Sequence, residues 1–578
     1  MNSKKKLLSG AEIIIECLKE QGVDTVFGYP GGTVLAVYDA LYRNKKSIRH
    51  ILTSHEEGAA HAADGYSRAT GKTGVCLVTS GPGATNIVTG IATAYMDSVP
   101  MVAITINVSV NSLGKDSFQE VDIAGITMPV TKHSFIVKDI TRLADTLRRA
   151  FKIAGSGRKG PVLVDITRDV TLAKMGFVPE CTGYGEASRI NQNEQNGGKD
   201  VPAADGGFIT NDEDKEKSLC SKADGADSTV YENICSRLNH AKRPVLLVGG
   251  GCIHSNARSA LIGFTDRFGL PVVDTLMGKG AFPGDGHGYL GMLGRHGTAV
   301  ANAAVEAADL LLAVGTRFSD RVTGNSAEFA KNAFIIQADI DKAEINKNVS
   351  VDIGVNEDAS DFLKRITALL KQNRSFDDWI EELRKTYEAP TNEKTDGRFH
   401  GAEIVSKVYR LTEGRAIICT EVGQNQMLAS GYFKYGNEGQ LITSGGLGTM
   451  GFGLGAAIGA KIGCPDRTVI NFAGDGCFRM NMNELLTAVR YRLPIIEIVI
   501  DNSSLGMVRQ MQEKFYAGRL SETVFHDNPD FEGIAAAMGA KAYTADDADS
   551  FERIFIKALS EKTFPTVIVC HVPQDDTV

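Results

Sequence analysis

The chain has 578 residues, enough for about three domains at roughly 100–200 residues each. It has 62 lysines and arginines against 70 aspartates and glutamates, and this net charge of −8, with no long basic run, gives no electrostatic case for nucleic-acid binding. No stretch of about 20 apolar residues is present, so no membrane-spanning helix is expected.

The ten cysteines are scattered and form no CxxC pair, which predicts a reduced, cytoplasmic protein rather than a disulfide framework. The basic run near the start could indicate a signal peptide. However, Ser9, Gly10, Glu12 and Glu16 interrupt the apolar residues that follow it. An amphipathic first helix is therefore predicted.

Three regions of the chain alternate a short apolar run, a glycine-rich turn and a longer helix-like stretch. This pattern is typical of parallel α/β layers. We therefore predict an α/β fold of three doubly wound parallel-sheet domains. The predicted strands are Thr25–Tyr29, Gly74–Thr79, Met101–Ile106, Pro161–Ile166, Pro244–Gly249, Leu270–Asp274, Leu310–Gly315, Phe334–Ile340, Ala416–Thr420, Thr468–Phe472, Ile495–Ile500 and Thr566–Val569.

Two polar segments separate these regions. Residues 183–228 are rich in Gly and Asp and nearly free of large apolar side chains, so they cannot bury enough surface to offset the entropy of ordering. Residues 371–400 are charged and contain Pro390. The predicted organisation is a first domain 1–182, a linker or insertion 183–228, a central domain 229–370, a linker 371–400 and a third domain 401–578.

The strongest local signal is Gly474-Asp475-Gly476, followed further along by Asp501-Asn502, each behind an apolar run predicted as a strand. Ligands bind at the carboxyl ends of such parallel strands. An Asp carboxylate and an Asn carbonyl are oxygen ligands suited to Mg²⁺ or Ca²⁺ held with a phosphate, and the glycines let a diphosphate approach the backbone. The first element alone could be only a turn, but the second element favours a metal–diphosphate site.

Two further segments carry candidate cofactor residues. Glu56 heads a helix-like run of small residues that leads to an apolar strand and a Gly-Pro-Gly turn. A carboxylate in packed surroundings needs a partner, although a glutamate that only favours the helix dipole has the same pattern. The glycine-dense segment 444–451 contains Met450, and packing alone could also account for it.

Together these segments resemble the thiamine-diphosphate enzymes and, within them, the catalytic large subunits of acetolactate (acetohydroxyacid) synthases. The resemblance covers nearly everything outside about 183–228, and its most specific segment is LLLAVGTRFSDRVTGN. Other segments that carry it are HEEGAAHAADGYSRATGK, TSGPGATN, TSGGLGTMGFGL and GDGCF. It implies that the first domain is pyrimidine-binding (PYR), the central one FAD-binding-like, and the third diphosphate- and metal-binding (PP).

The resemblance implies the cofactors thiamine diphosphate, Mg²⁺ and FAD, the last without a redox part in the net reaction. Glu56 would activate the aminopyrimidine of thiamine diphosphate, and Met450 would wedge under the cofactor. Further thiamine contacts would be Gln424, Asn425, Gly448, Asp475, Gly476 and Cys477, and the metal ligands would be Asp475, Asn502 and the carbonyl of Ser504. Matching FAD positions are Arg158, Gly251, Thr275, Leu276, Gly294, His296, Gly315, Arg317 and Asp339.

For the substrates, the resemblance implies that Gly32 offers a backbone N–H as an oxyanion donor and that Gln119, beside Phe118, lines the pocket. Lys132 would lie near the same channel. Arg321 would hold the carboxylate of the second 2-oxo acid. For both basic residues, an ordinary surface ion pair is the alternative.

The sequence departs from the family pattern around the substrate channel. Met511 stands where the family usually has Trp, which predicts weaker discrimination between pyruvate and 2-oxobutyrate as acceptor. Arg295 stands where the family has Met, and it could favour a more acidic acceptor or pair with a carboxylate such as Asp320. Asn425 and Glu421 replace the family's His and Asp.

The predicted activity is decarboxylation of pyruvate and transfer of the two-carbon unit to a second 2-oxo acid, pyruvate or 2-oxobutyrate, in branched-chain amino-acid biosynthesis. The alternatives are another thiamine-diphosphate lyase or transferase, a flavin-linked pyruvate oxidase of the same fold, and a non-catalytic paralogue. The family's active site lies between two chains, so a homodimer or homotetramer is expected. A small regulatory subunit is a further possible partner.

Overall fold

The computed structural model describes residues 6–180, 219–221, 228–387, 396–436 and 439–577. Its three main sheets are parallel and covered by helices, which confirms the predicted α/β class. All twelve predicted strands are present, with ends shifted by at most two residues. Their side chains are buried on both faces, which explains why they have near-continuous apolar runs in the sequence.

The first sheet has six parallel strands in the order β3-β2-β4-β5-β7-β6, and β1 pairs separately with β8. The strands are β1 (Lys6–Ser9), β2 (Thr25–Tyr29), β3 (Arg49–Leu52), β4 (Gly74–Thr79), β5 (Met101–Asn107), β6 (His133–Val137), β7 (Pro161–Thr167) and β8 (Lys174–Phe177). The helices are α1 (Gly10–Glu20), α2 (Leu35–Arg43), α3 (Glu56–Thr70), α4 (Pro82–Asn86), α5 (Val88–Met96), α6 (Ile123–Thr127), α7 (Leu143–Gly155) and α8 (Arg168–Leu172).

The predicted amphipathic first helix is α1, which Ser9 and Glu12 begin with reciprocal side-chain caps. Inside the first sheet, Asp165 is a buried carboxyl group. Thr105 Oγ1 donates to it at 2.6 Å and Asn107 Nδ2 at 2.7 Å. Burial raises the pKa of Asp165 to about 6, against the effect of these two hydrogen bonds.

The middle sheet has seven strands in the order β13-β12-β10-β14-β15-β16-β9. The strands of this region are β9 (Leu219–Ser221), β10 (Pro244–Val248), β11 (Phe268–Gly269), β12 (Val272–Asp274), β13 (Tyr289–Met292), β14 (Leu310–Val314), β15 (Phe334–Asp339), β16 (Ile353–Asn356) and β17 (Arg374–Ser375). The helices are α9 (Ser228–His240), α10 (Gly250–His254), α11 (Arg258–Arg267), α12 (Ala299–Ala307), α13 (Asp320–Thr323), α14 (Ala359–Leu369) and α15 (Asp377–Tyr387).

The third sheet has the order β19-β18-β20-β21-β23-β22. Its strands are β18 (Ile417–Thr420), β19 (Gln440–Ile442), β20 (Val469–Gly474), β21 (Ile495–Asp501), β22 (Lys541–Ala545) and β23 (Thr566–His571). The helices are α16 (Gly401–Thr412), α17 (Gln424–Tyr432), α18 (Phe452–Gly463), α19 (Asp475–Asn481), α20 (Leu485–Arg490), α21 (Gly506–Phe515), α22 (Phe531–Ala537) and α23 (Ala548–Ser560).

Part of the segment predicted as the second linker is a packed helix. Within 371–400, α15 buries Trp379, Ile380 and Leu383 in the core of the middle region. Their helical spacing was a signal of burial, which the surrounding charged residues masked. The predicted linker 183–228 lies outside the described residues except for β9 and Ser228. In the described ranges, no helix has the length and apolar character needed to span a bilayer.

Helices α3 and α18 join the first and third sheets through small residues. A Cβ added to Gly459 would lie 1.8 Å from the carbonyl oxygen of Ala62, and one added to Gly65 would lie 2.1 Å from that of Ala456. Only glycine therefore permits this backbone approach. Around the contact the two sheets share a single apolar core.

Candidate active site

The predicted metal ligands lie at one edge of the third sheet. Asp475 begins α19 immediately after β20, and Asn502 directly follows β21. Because these strands pair in parallel, the two residues leave the same carboxyl edge side by side. They line a concave site, here called the cradle, together with other predicted cofactor residues: Gln424, Asn425, Met450, Gly476, Cys477 and Ser504.

Hydrogen bonds fix the oxygen atoms of the cradle. Asn528 Nδ2 donates to Asp475 Oδ2 at 2.8 Å and to Asp501 Oδ1 at 3.0 Å. Asn502 Nδ2 donates to Gln424 Oε1 at 2.8 Å, and its Oδ1 accepts from the Ser504 N–H at 3.2 Å and from Ser504 Oγ at 3.1 Å. Asn528 was not predicted, because it lies in a loop without a recognisable motif.

The electrostatics of the cradle suit a divalent cation. Burial raises the pKa of Asp475 to about 7; the Asn528 hydrogen bond opposes this rise and the neighbouring Asp501 adds to it. Arg479, on the same helix, pairs with Asp527 instead of Asp475. Among the described residues no three His, Cys, Asp or Glu side chains cluster to hold a metal. A cation here would therefore need a mixed set of carboxylate, amide and carbonyl oxygens, and the predicted ligands provide one.

The C-terminal segment closes one side of the cradle. Val572, Asp576 and Thr577 line it. Gln424 Nε2 donates to the Asp576 carbonyl at 2.9 Å, and the Asp576 carboxylate lies 2.8 Å from His400 Nδ1. None of these three C-terminal residues was predicted, because their sequence has no motif that ties it to β20 or β21.

A larger cavity of about 800 Å³ adjoins the cradle and shares Val422 and Met507 with it. Arg321, Arg295 and Gly448 also lie on its wall. Gly294 does not line it, because its backbone packs against Arg321 and Val322. The other predicted FAD positions all line the cavity: Arg158, Gly251, Thr275, Leu276, His296, Gly315, Arg317 and Asp339.

The wall of this cavity has features that fit a flavin dinucleotide. Gly251 and Gly315 meet backbone to backbone, and a Cβ on Gly251 would lie 2.6 Å from the Gly315 Cα. His296 Nε2 is buried and has no hydrogen-bond partner among the residues that the structure describes, so a ligand could satisfy it. Burial raises the pKa of Asp339, at the end of β15, to about 6. A carboxyl group at this strand end suits a ribose hydroxyl.

A junction of all three regions borders the same cavity. Asp97, from the first region, accepts hydrogen bonds from the backbone N–H groups of Gly446 at 2.7 Å and Gly445 at 3.1 Å. Arg68 Nη2 donates to Asp97 at 3.0 Å, and His254 of the middle region binds the Asp97 carbonyl. Residues 444–448, here called the strap, line the cavity just before Met450. Asp97 thus fixes the strap from another domain.

The predicted activating glutamate begins α3 of the first region and does not line the cradle. Asn86 Nδ2 donates to Glu56 Oε2 at 2.9 Å, and a Cβ on Gly83 would lie 3.3 Å from Glu56 Oε1. Gln119 has a positive φ of 59° and packs against Gly81 of the same Gly-Pro-Gly turn. The turn therefore brings Glu56 and Gln119 onto one side of the first sheet.

The single chain does not bring every predicted site residue together. Glu56, Gln119 and Gly32 do not line the cradle that holds Asp475. Phe118, beside Gln119, is 88% exposed. Lys132 lines neither cavity; its Nζ binds the carbonyls of Ile153 and Ser156 at the end of α7. Its catalytic role stays a prediction, and so does the effect of Met511, which also lies outside both cavities.

Known proteins match this chain over nearly its full length. The thiamine pyrophosphate enzyme N-terminal TPP binding domain matches residues 8–126, the central domain 231–366 and the C-terminal TPP binding domain 421–570. The acetolactate synthase large subunit of Haemophilus influenzae is 42% identical over 99% of this chain and 96% of its own length. That of Lactococcus lactis is 41% identical over 93% and 88%. The acetolactate synthase isozyme 3 large subunit of Escherichia coli is 40% identical over 92% and 89%.

Proposed function

The chain belongs to the acetolactate synthase large-subunit family of thiamine pyrophosphate enzymes, and we propose that it decarboxylates pyruvate and transfers the two-carbon unit to a second 2-oxo acid. The acceptor is pyruvate or 2-oxobutyrate, and the products serve branched-chain amino-acid biosynthesis. The observation that carries this proposal is the cradle, where Asp475 and Asn502 leave adjacent parallel strands beside Met450.

Each group of residues has a defined task in this proposal. Thiamine diphosphate, when bound, supplies the electron sink for decarboxylation. Asp475, Asn502 and the Ser504 carbonyl hold Mg²⁺, while Gln424 and Asn425 orient the diphosphate. Further thiamine contacts come from Gly448, Gly476 and Cys477. Glu56 holds a proton between its carboxyl oxygen and the pyrimidine ring, and Arg321 positions the acceptor's carboxylate.

The larger cavity is proposed to bind FAD without a redox role. Its volume, the close glycine pair and the unpartnered His296 nitrogen support this assignment. A flavin there would lie next to the strap and the cradle. It would thereby stabilise the wall that both sites share.

The active site is proposed to form between two copies of the chain, in a homodimer or homotetramer. Glu56 does not line the cradle that holds Asp475 in the single chain, which supports a site completed by a partner. The exposed Phe118 beside Gln119 is suited to contact that partner. A small regulatory subunit and a cytoplasmic location are further parts of the proposal.

Product analysis tests the reaction directly. The purified protein is incubated with pyruvate, thiamine diphosphate and Mg²⁺, with and without FAD, and the products are identified by mass spectrometry. We expect acetolactate and CO₂, with no oxygen consumption. Acetate with oxygen or quinone reduction would instead identify an oxidase. Glu56→Gln should lower turnover by orders of magnitude, while Glu57→Gln, at the neighbouring half-buried glutamate that pairs with His61, is the matched control.

Complementation tests the shared site. Glu56→Gln and Asp475→Asn chains, each inactive alone, are co-expressed with different tags and purified as mixed oligomers. If sites form between chains, a mixed dimer has one site with both changes and one intact site, so about half the wild-type activity should return in isolated mixed dimers. Absence of any recovery in a verified mixed dimer would contradict the shared site.

Calorimetry tests the proposed metal site and the proposed flavin site without turnover. Asp475→Asn should abolish Mg²⁺-dependent binding of thiamine diphosphate, and FAD binding should persist in that variant. If FAD does not bind while acetolactate still forms, the assignment of a flavin site is wrong.

A further inference from the structure

Two arginine side chains project from adjacent backbone onto the wall of the larger cavity. The Arg295 N–H donates to the Arg321 carbonyl at 3.0 Å, so the two residues begin side by side. A Cβ on the preceding Gly294 would lie only 2.3 Å from the same carbonyl oxygen. This close approach fixes the relative position of the two segments. Both side chains are exposed and both line the cavity.

Neither guanidinium has an anionic partner in the part of the chain that the structure describes. In particular, no ion pair joins Arg295 to Asp320, the carboxylate that the sequence offered as an alternative. The other carboxylates on this wall are already engaged. Glu344 pairs with Arg158 at 2.6 Å, and Asp358 accepts the Ser360 N–H at the start of α14.

His296 directly follows Arg295 in the chain, and both arginine charges act on its ring. Burial lowers its pKa, and the Arg321 and Arg295 charges lower it further. Like charges held on neighbouring backbone repel each other, and an anion bound between them offsets this repulsion. A guanidinium prefers a carboxylate, which it can bind with two parallel hydrogen bonds.

We propose that Arg295 and Arg321 form a two-carboxylate subsite, and that the enzyme accepts a dicarboxylic 2-oxo acid as the acceptor of the two-carbon unit. This inference rests on the proposed transfer reaction and adds a dicarboxylic acceptor to pyruvate and 2-oxobutyrate. Arg321 binds the carboxylate next to the ketone, and Arg295 binds the carboxylate at the far end of the acceptor. Arg295 is the residue that sets this specificity.

The proposed reaction balances without an oxidant or reductant. Pyruvate loses its carboxylate as CO₂, and its former carbonyl carbon forms a bond to the keto carbon of the acceptor. The acceptor's oxygen takes up one proton and becomes a tertiary alcohol. With 2-oxoglutarate, the product is 2-acetyl-2-hydroxyglutarate.

The test compares two acceptors of equal chain length, 2-oxoglutarate and 2-oxopentanoate, in the complete enzyme with pyruvate as donor. The measured quantity is the ratio of kcat/KM for the two acceptors. We expect the ratio to favour 2-oxoglutarate and to fall by about tenfold or more in Arg295→Met, because a hydrogen-bonded charge pair is lost. Arg295→Lys should restore part of the ratio. Lys331→Met, on the surface of the same region, removes one charge elsewhere and should not alter it.

Binding without turnover gives a second readout. Calorimetry with 2-oxoglutarate in the absence of pyruvate should show weaker binding to Arg295→Met than to wild type. An equal acceptor ratio in wild type and Arg295→Met would overturn the subsite, as would a loss of FAD affinity with no change in the ratio. Failure to form acetolactate from pyruvate alone would instead refute the proposed function, so the two failures are distinguishable.

Discussion

Asp97→Asn is the substitution that most directly tests how the domains hold the site. The Asp97 side chain is fully buried; its Oδ2 accepts from Arg68 Nη2 and the Gly445 N–H, and its Oδ1 accepts from the Gly446 N–H. Asparagine has the same shape, but its NH₂ must face at least one of these donors. The substitution also removes one of the two negative charges that Arg68 contacts. Only Asp64, at 2.6 Å, then remains as its ion-pair partner.

The expected cost follows from these contacts. A lost hydrogen bond to a charged group costs about 1.5–3 kcal/mol, and a buried ion pair that loses one partner costs about 3–5 kcal/mol. Because Asp64 still compensates Arg68, we expect the lower end, about 3 kcal/mol of unfolding free energy. The strap should also lose its fixed position, so FAD affinity should fall several-fold.

The assay is urea unfolding followed by circular dichroism, together with a fluorescence titration of FAD. Asp309→Asn is the matched control, because Asp309 also accepts two backbone N–H groups, from Lys242 and Arg243, but at the surface. It should cost about 1 kcal/mol. If Asp97→Asn unfolds with the same free energy as this control and binds FAD like wild type, the junction does not position the strap.

Three further predictions concern packing, pH and the site. Gly459→Ala should destabilise by about 1–3 kcal/mol or more, because its Cβ would lie 1.8 Å from a carbonyl oxygen of α3, whereas Gly155→Ala has open space and should be neutral in thermal unfolding. Because the folded pKa of Asp165 is about 6, above its ordinary value of 3.8, its carboxyl group contributes stability below pH 4 that is lost as pH rises through 6. Asp165→Asn should therefore gain stability relative to wild type over that range in urea unfolding, and a pH-independent difference would contradict the assignment. Gly83→Ala should lower kcat at saturating cofactor, because its Cβ would lie 2.7 Å from Thr79 Cγ2 and 3.3 Å from Glu56 Oε1; an unchanged kcat would show that the turn does not position the carboxylate.

Strand positions and the cradle were predictable because they depend on local patterns. A buried parallel strand needs a continuous apolar run, and the residues that follow such a run lie at the ligand-binding edge. Asp475 and Asn502 could therefore be assigned to one site from their places after two apolar runs, and the structure has them side by side. Helix α15 was missed because its three buried side chains stand among charges, which favoured a linker.

The tertiary structure alone decided which distant residues meet. Asn528 reaches Asp475, Asp576 closes the cradle, and Asp97 fixes the strap, each through contacts between segments that no short motif connects. The pairing state of Arg295 was likewise open in the sequence, since the choice between Asp320 and a bound anion depends on side-chain positions. A sequence specifies local periodicity and residue chemistry, whereas side-chain partners depend on how the helices and sheets pack, and that packing is a property of the whole chain.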